Sequence, residues 1–264
     1  LRTIAPQTIG EQARRHLQHL LQEHYVGYEV TIRQGRYEPS VGLIFDDLRV
    51  LDPNAPNRKT SWSLTTSHAR EIVHIEKLIV VADTKPERLL DKNTPLVTRR
   101  VVVDGITADA WLTDDGKLSL QSLWPLPKIG PEAPRTEIHN AKLRLVDLSG
   151  AASPIELNLS DVLIVNHAGA TQSGPERIVS LRGDANFAKT IQAHGRFADG
   201  NMEFGGVLKN IRVGDELVSR LPDQFRAITL AQCRLHRSRN FVQIGVRTND
   251  HVAIFRAFAI LCTR

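Results

Sequence analysis

The ten histidines of this 264-residue chain are the side chains most suggestive of chemistry, because imidazole ligates metals and moves protons near neutral pH. Their spacing builds no site. His16 and His19 are i, i+3 neighbours on a helical run with His24 beyond them, yet no third histidine or carboxylate completes a ligand set, so they read as a solvated helix face. His74, His139, His167 and His194 fall singly on strand-like runs, where a polar sheet face accounts for them. The acidic doublets Asp46-Asp47 and Asp114-Asp115 invite general acid–base work, but neighbours on a strand point to opposite faces, and Asp115-Gly116 reads as a tight turn. Asn158-Leu-Ser160 has the form of a glycosylation acceptor but lies mid-strand. There is no phosphate-cradling loop, dinucleotide fingerprint, nucleophile elbow or zinc-protease helix. The residue pattern is that of a non-enzyme, with no cofactor and no metal ligands expected.

The elements that would position any site are mostly strands. Ile9, Ala13, Leu17, Leu20 and Leu21 repeat at the helical period, so residues 9–24 are expected as an amphipathic helix, with Thr8 and Glu11 at capping-box spacing and Gly27 beyond its end. The period then changes to two. Runs at 28–33, 41–50, 72–81 and 99–113 read as strands, and Asp115-Gly116 predicts a hairpin joining Trp111-Leu112 to Lys117–Leu120. Prolines 125, 127, 131 and 134 mark a linker or long loop. Beyond it come strand-like runs at 137–148, 155–165, 177–187, 190–197 and 202–213, with a last helix-like piece at 215–221. Ile155, Leu157 and Leu159 share one face, as do Ile191, Ala193, Gly195 and Phe197, and Met202, Phe204, Gly206 and Leu208. Such alternation belongs to antiparallel sheets with one solvated face. Taken alone it favours a two-layer β-sandwich over a single curled sheet, whose curl the interior glycines 183, 195, 205 and 206 would permit.

The formal net charge of +5 is an average over two unlike parts. Residues 226–264 carry seven arginines, no lysine, a single acid (Asp250) and both cysteines, Cys233 and Cys262. The preceding body is close to neutral, so nucleic acid is not an expected partner. The tail reads either as a genuine basic arm or as a segment of altered reading frame. No stretch reaches the length of a membrane span. Because the chain begins at Leu1, an anchor or signal is expected to precede it.

The order of elements is more informative than any one residue. A helix at 9–24 leads into Tyr28-Glu-Val-Thr-Ile32 and Val41-Gly-Leu-Ile-Phe-Asp-Asp-Leu-Arg-Val50; Ile72–Val81 precedes Arg88-Leu-Leu90; Val101-Val-Val-Asp-Gly-Ile106 precedes Thr113-Asp-Asp-Gly-Lys-Leu-Ser-Leu-Gln-Ser-Leu123. This succession resembles the N-terminal module of AsmA-like envelope proteins, relatives of the TamB-like lipid-transport proteins, over about residues 8–125. The resemblance implies a periplasmic protein of a diderm bacterium, anchored in the inner membrane, whose long curled antiparallel sheet holds or conducts phospholipid in an apolar groove.

On that reading the fold is mainly β with an N-terminal helix, and the preference for a sandwich is reversed. The module would occupy 1–125, the groove would continue over 126–225, and the basic, cysteine-containing tail would occupy 226–264. The groove candidates are Val101 and Val103, then Leu143 and Leu145, then Ile155, Leu157 and Leu159, then Ile191 and Phe197, and finally Met202, Phe204 and Leu208. The implied partners are phospholipid or another acyl-chain lipid, and the inner membrane. The alternative function is a scaffold for outer-membrane proteins that works through exposed sheet edges, and outer-membrane assembly proteins would then be partners too.

Overall fold

The computed structural model describes residues 6–55, 70–82, 97–111, 113, 119–123, 134–146, 154–167, 176–198, 201–211, 236–238 and 241–248. Helix α1 (Pro6–His24) is followed by β1 (Glu29–Glu38), β2 (Gly42–Leu51), β3 (Glu71–Ala82), β4 (Thr98–Ala110) and a 3-10 turn (Ser119–Leu123). Then come β5 (Arg135–Leu145), β6 (Ile155–His167), β7 (Glu176–Ala185), β8 (Ala188–Ala198), β9 (Asn201–Ile211), β10 (His236–Ser238) and β11 (Phe241–Thr248). All the strands belong to one open sheet in the order β1 to β9, then β11 and β10. Among the described residues the chain is mainly β with one N-terminal helix, and the described strands share a single ladder.

Antiparallel pairing holds everywhere except between β4 and β5, which run parallel. A parallel neighbour needs a connection of a dozen residues or more, and the segment 111–134 supplies it. The proline-rich run thus falls in the connection between β4 and β5; residues 124–133, with the expected 125/126 boundary, lie outside the described residues. Within the crossover, the Ser119 N–H donates to the Trp111 carbonyl at 2.9 Å and the Trp111 N–H donates to Ser119 Oγ at 3.1 Å. These bonds hold Ser119–Leu123 as a 3-10 turn, where the Asp115-Gly116 turn signal had suggested a hairpin with Lys117–Leu120 as its second arm. Residues 114–118, with the Asp114-Asp115 pair, lie outside the described residues, as do the 215–221 segment, Arg88-Leu-Leu90 and both cysteines. Of the basic tail, 236–238 and 241–248 are strands appended beyond β9.

Helix α1 begins at Pro6, whose missing N–H is no loss at a first helical position. Thr8 therefore stands inside the first turn and is not its cap. Glu11 accepts instead from Arg14 and Arg15. The helix buries Ile9, Leu17 and Leu21 against a cluster that includes Val30, Ile32, Phe45, Leu78, Val101 and Trp111. Its polar side chains complete the edge of the sheet. The outward N–H groups of Val30 and Ile32 donate to Gln22 Oε1 (2.9 Å) and Gln18 Oε1 (3.2 Å), and the Ile32 carbonyl accepts from Arg14 Nη1 at 2.9 Å. Backbone groups that would otherwise recruit another strand are thereby satisfied.

A line of polar doublets crosses the sheet. Arg33-Gln34, Asp46-Asp47, Glu76-Lys77, Asp104-Gly105, His139-Asn140 and Ser160-Asp161 lie at one level on β1 to β6. At each doublet the alternation slips by one residue. Strand β2 turns Leu43 and Phe45 to the core before it and Leu48 and Val50 after it; β4 turns Val101 and Val103, then Ile106 and Ala108. Asp47, Gly105 and Asn140 have φ of 59°, 67° and 55°, the left-handed region that Gly, Asp and Asn tolerate best. Because neighbouring strands slip together, their register is kept. Strand β7 does not slip, and the β6–β7 register shifts between Leu159 and Asp161.

Candidate functional site

The sheet offers two candidate surfaces, one apolar and one polar. On the apolar side Val101 stands between Val80 and Thr136, and Val103 between Leu78 and Ile138. Past the doublets, Leu143 faces Leu157, Leu145 faces Ile155, and Leu159 faces Ala141. Ile191 lies between Gly183 and Leu208. Phe197 pairs with Met202 and Gly195 with Phe204, which continue the same register columns; the side chains of Phe197, Met202 and Phe204 lie outside the described residues. The structure thus brings the sequence-derived apolar residues into one continuous set of columns. They are not equally covered. Val101, Val103, Leu157, Ile191 and Leu208 are buried, the last with 0% exposure, while Leu143, Leu145, Ile155 and Leu159 are only half-buried.

The opposite side carries ion pairs that follow the line of doublets. Asp47 accepts from Arg49 Nε at 2.7 Å, lies 3.0 Å from His74 Nε2, and is 3.4 Å from Arg33 Nε. The Arg49 guanidinium is the main reason its carboxyl is held below the usual range, with His74 adding to it against the opposing effect of burial. Asn140 Nδ2 donates to Asp104 at 2.8 Å, and His139 Nδ1 lies 3.1 Å from Asp161. Burial pushes the Glu137 carboxyl up, but Arg100 at 2.6 Å and Arg135 at 2.8 Å together outweigh it and hold it low. Asp109 and Arg144 form a bidentate pair across the parallel β4–β5 junction. Asn158, in the acceptor-like tripeptide, donates to Asp184 at 2.9 Å within the sheet.

One concavity among the described residues lies on this side. A groove of about 520 Å³ runs over β5 to β9, with Glu137, His139, Asp161, Ser180, Arg182, Gln192 and His194 among its lining. By register these residues occupy the face opposite Ile138, Val162, Leu181 and Ala193. Sequence reasoning had assigned the histidines here to a polar face but did not find the groove. The outward positions of β7 and β8, with Ser180, Arg182, Gln192 and His194, mark a polar face in the sequence but carry no sign of a concavity.

Among the described residues no group of three or more His, Cys, Asp and Glu side chains could hold a metal ion. No described helix is long and apolar enough to cross a membrane. Compared with known proteins, the chain matches no family model and no curated protein.

Proposed function

We propose that this chain is a non-enzymatic module of the bacterial envelope, on the periplasmic side of the inner membrane, that binds or conducts phospholipid acyl chains on the apolar face of a curled sheet. The succession of elements that resembles AsmA-like proteins motivates the assignment. The observation that carries it is the continuity of the apolar columns. They cross the parallel junction and the doublet line without changing face, and they leave Leu143, Leu145, Ile155 and Leu159 half-covered beside buried neighbours. An alkyl chain laid on such a strip gains about 0.8 kcal/mol per CH₂ removed from water. Continuity matters more than any polar contact.

The edge-pairing scaffold is the weaker reading at the β1 side, where Gln18, Gln22 and Arg14 already occupy the backbone groups of Val30 and Ile32. The test is native mass spectrometry and lipid extraction of the purified chain beside a Leu143→Lys/Leu159→Lys variant. Co-purifying phospholipid that the double variant loses, with circular dichroism unchanged, is the expected result. A wild-type chain that carries no lipid and takes up no fluorescent fatty acid sinks the assignment, and the columns are then an ordinary core.

A further inference from the structure

Strand β5 stands between two separate groups of buried side chains. Every buried member of the cluster under α1 comes from α1, β1 to β4 or Trp111. A second group, which includes Leu157, Val179, Leu181, Ile191 and Leu208, is buried on β6 to β9 and shares no member with the first. Between them the apolar side chains of β5, Ile138, Leu143 and Leu145, are only half-buried, and the one residue that β5 buries is a carboxylate, Glu137. Buried apolar area is the main force that holds a strand in place. By that measure β5 is weakly held.

Its pairing with β4 is also the parallel one. Parallel pairs are slightly less stable per residue than antiparallel ones, and no tight turn fixes their register. Charged side chains hold this pair instead. Among the described residues Asp109 and Glu137 are the two buried carboxylates, and each is paired across the junction. Near one end Glu137 of β5 accepts from Arg100 of β4 at 2.6 Å; near the other Asp109 of β4 accepts from Arg144 of β5 at 2.5 and 2.8 Å. The pairs are reciprocal, so each strand grips the other. Parting the strands takes Arg100 from Glu137 and Arg144 from Asp109, and a buried carboxylate deprived of its cation is costly.

We propose that the β4–β5 junction is a seam between two cooperative units, α1 to β4 and β5 to β9, and that the Arg100–Glu137 and Asp109–Arg144 pairs are the clasps that hold it closed. When the seam opens, β5 to β9 unfold as a set. The first unit stays folded, because its buried cluster lies wholly between α1 and Trp111. The seam does not depend on the acyl-chain reading.

The experiment is native-state hydrogen exchange of the full chain in sub-denaturing urea, read by mass spectrometry. In the wild type, amides of β5 to β9 should lose protection together, at lower urea than those of α1 to β3. Ile32→Val trims a side chain buried under α1. It should speed exchange in α1 to β3 about fivefold and leave β5 to β9 within about twofold, because the second unit opens without disturbing the first. Asp109→Asn and Glu137→Gln keep the shape of each clasp and remove its charge; each should speed exchange in β5 to β9 about tenfold. Ile32→Val that accelerates the slowest amides alike from α1 to β9 overturns the two units. Exchange in β5 to β9 that stays within about twofold in either neutral variant overturns the clasps.

Discussion

Gly10 of α1 and Gly35 of β1 bring the backbones of helix and strand into direct contact. A Cβ on Gly10 would lie 2.6 Å from both the Arg36 nitrogen and the Gly35 oxygen, and a Cβ on Gly35 would lie 2.6 Å from Arg14 Cβ. In a free helix, Gly→Ala stabilises by about 1 kcal/mol. Here the sign should reverse. Gly10→Ala and Gly35→Ala are each expected to destabilise by about 1–3 kcal/mol through overpacking, seen as a lower urea midpoint with unchanged m-value.

The glutamines of α1 act on the same edge by hydrogen bonding. Gln18→Leu and Gln22→Leu leave the Val30 and Ile32 amides without acceptors, at about 1–3 kcal/mol for each orphaned group. Hydrogen exchange should report it locally, with faster exchange at Val30 and Ile32 and little change in β7 and β8. A double variant is expected to self-associate in light scattering, because a bare edge strand recruits other strands. Unaltered exchange at both amides would count against the capping role.

Acidification should loosen the same junction. Glu11 is held at about 2 against an ordinary 4.5, chiefly by its hydrogen bond from Arg14 and further by Arg15, with burial opposing them. A depressed carboxyl contributes its stability above the unfolded value and loses it as pH falls through the folded one. The wild-type chain should therefore lose stability relative to Glu11→Gln between about pH 4.5 and 2. Thermal melts at successive pH values that run parallel for the two proteins would refute this.

The doublet line depends on the backbone conformation of a few residues. Asn140 has φ of 55°, so Asn140→Val is expected to cost about 1–2 kcal/mol. Asn140→Gly loses only the bond to Asp104 and should stay within about 1 kcal/mol of wild type. Chemical denaturation of the pair, compared at equal m-value, separates the conformational cost from the lost contact.

Much of the fold was legible in the residues. The helical period from Ile9 to Leu21 located α1, and alternation in 155–159 and 191–197 placed the apolar columns, because a half-buried strand writes its faces directly into the chain. Three things were not. The capping spacing of Thr8 and Glu11 was overruled by the start at Pro6 and by the arginines that Glu11 meets in three dimensions. The parallel β4–β5 pairing left no local mark, since strand direction depends on a crossover. Asp46-Asp47 was noticed as a pair but only for acid–base chemistry. Its meaning emerges beside Glu76-Lys77, Asp104-Gly105 and His139-Asn140, where two polar residues interrupt a period of two at the same depth in successive strands. The groove was missed for a related reason: its lining residues come from β5 to β9 and are brought together through register alone.

The doublets also set which changes in length the protein can absorb. Deleting one residue at a doublet returns that strand to strict alternation, so everything on one side of the cut turns inside out and polar groups enter the apolar columns while their neighbours stay in place. Deleting two residues near a strand end merely shortens a column. Insertions and deletions in β1 to β6 should therefore survive in even steps, or as single steps made together across adjoining strands. The line of doublets behaves as a parity check written across six segments of the chain.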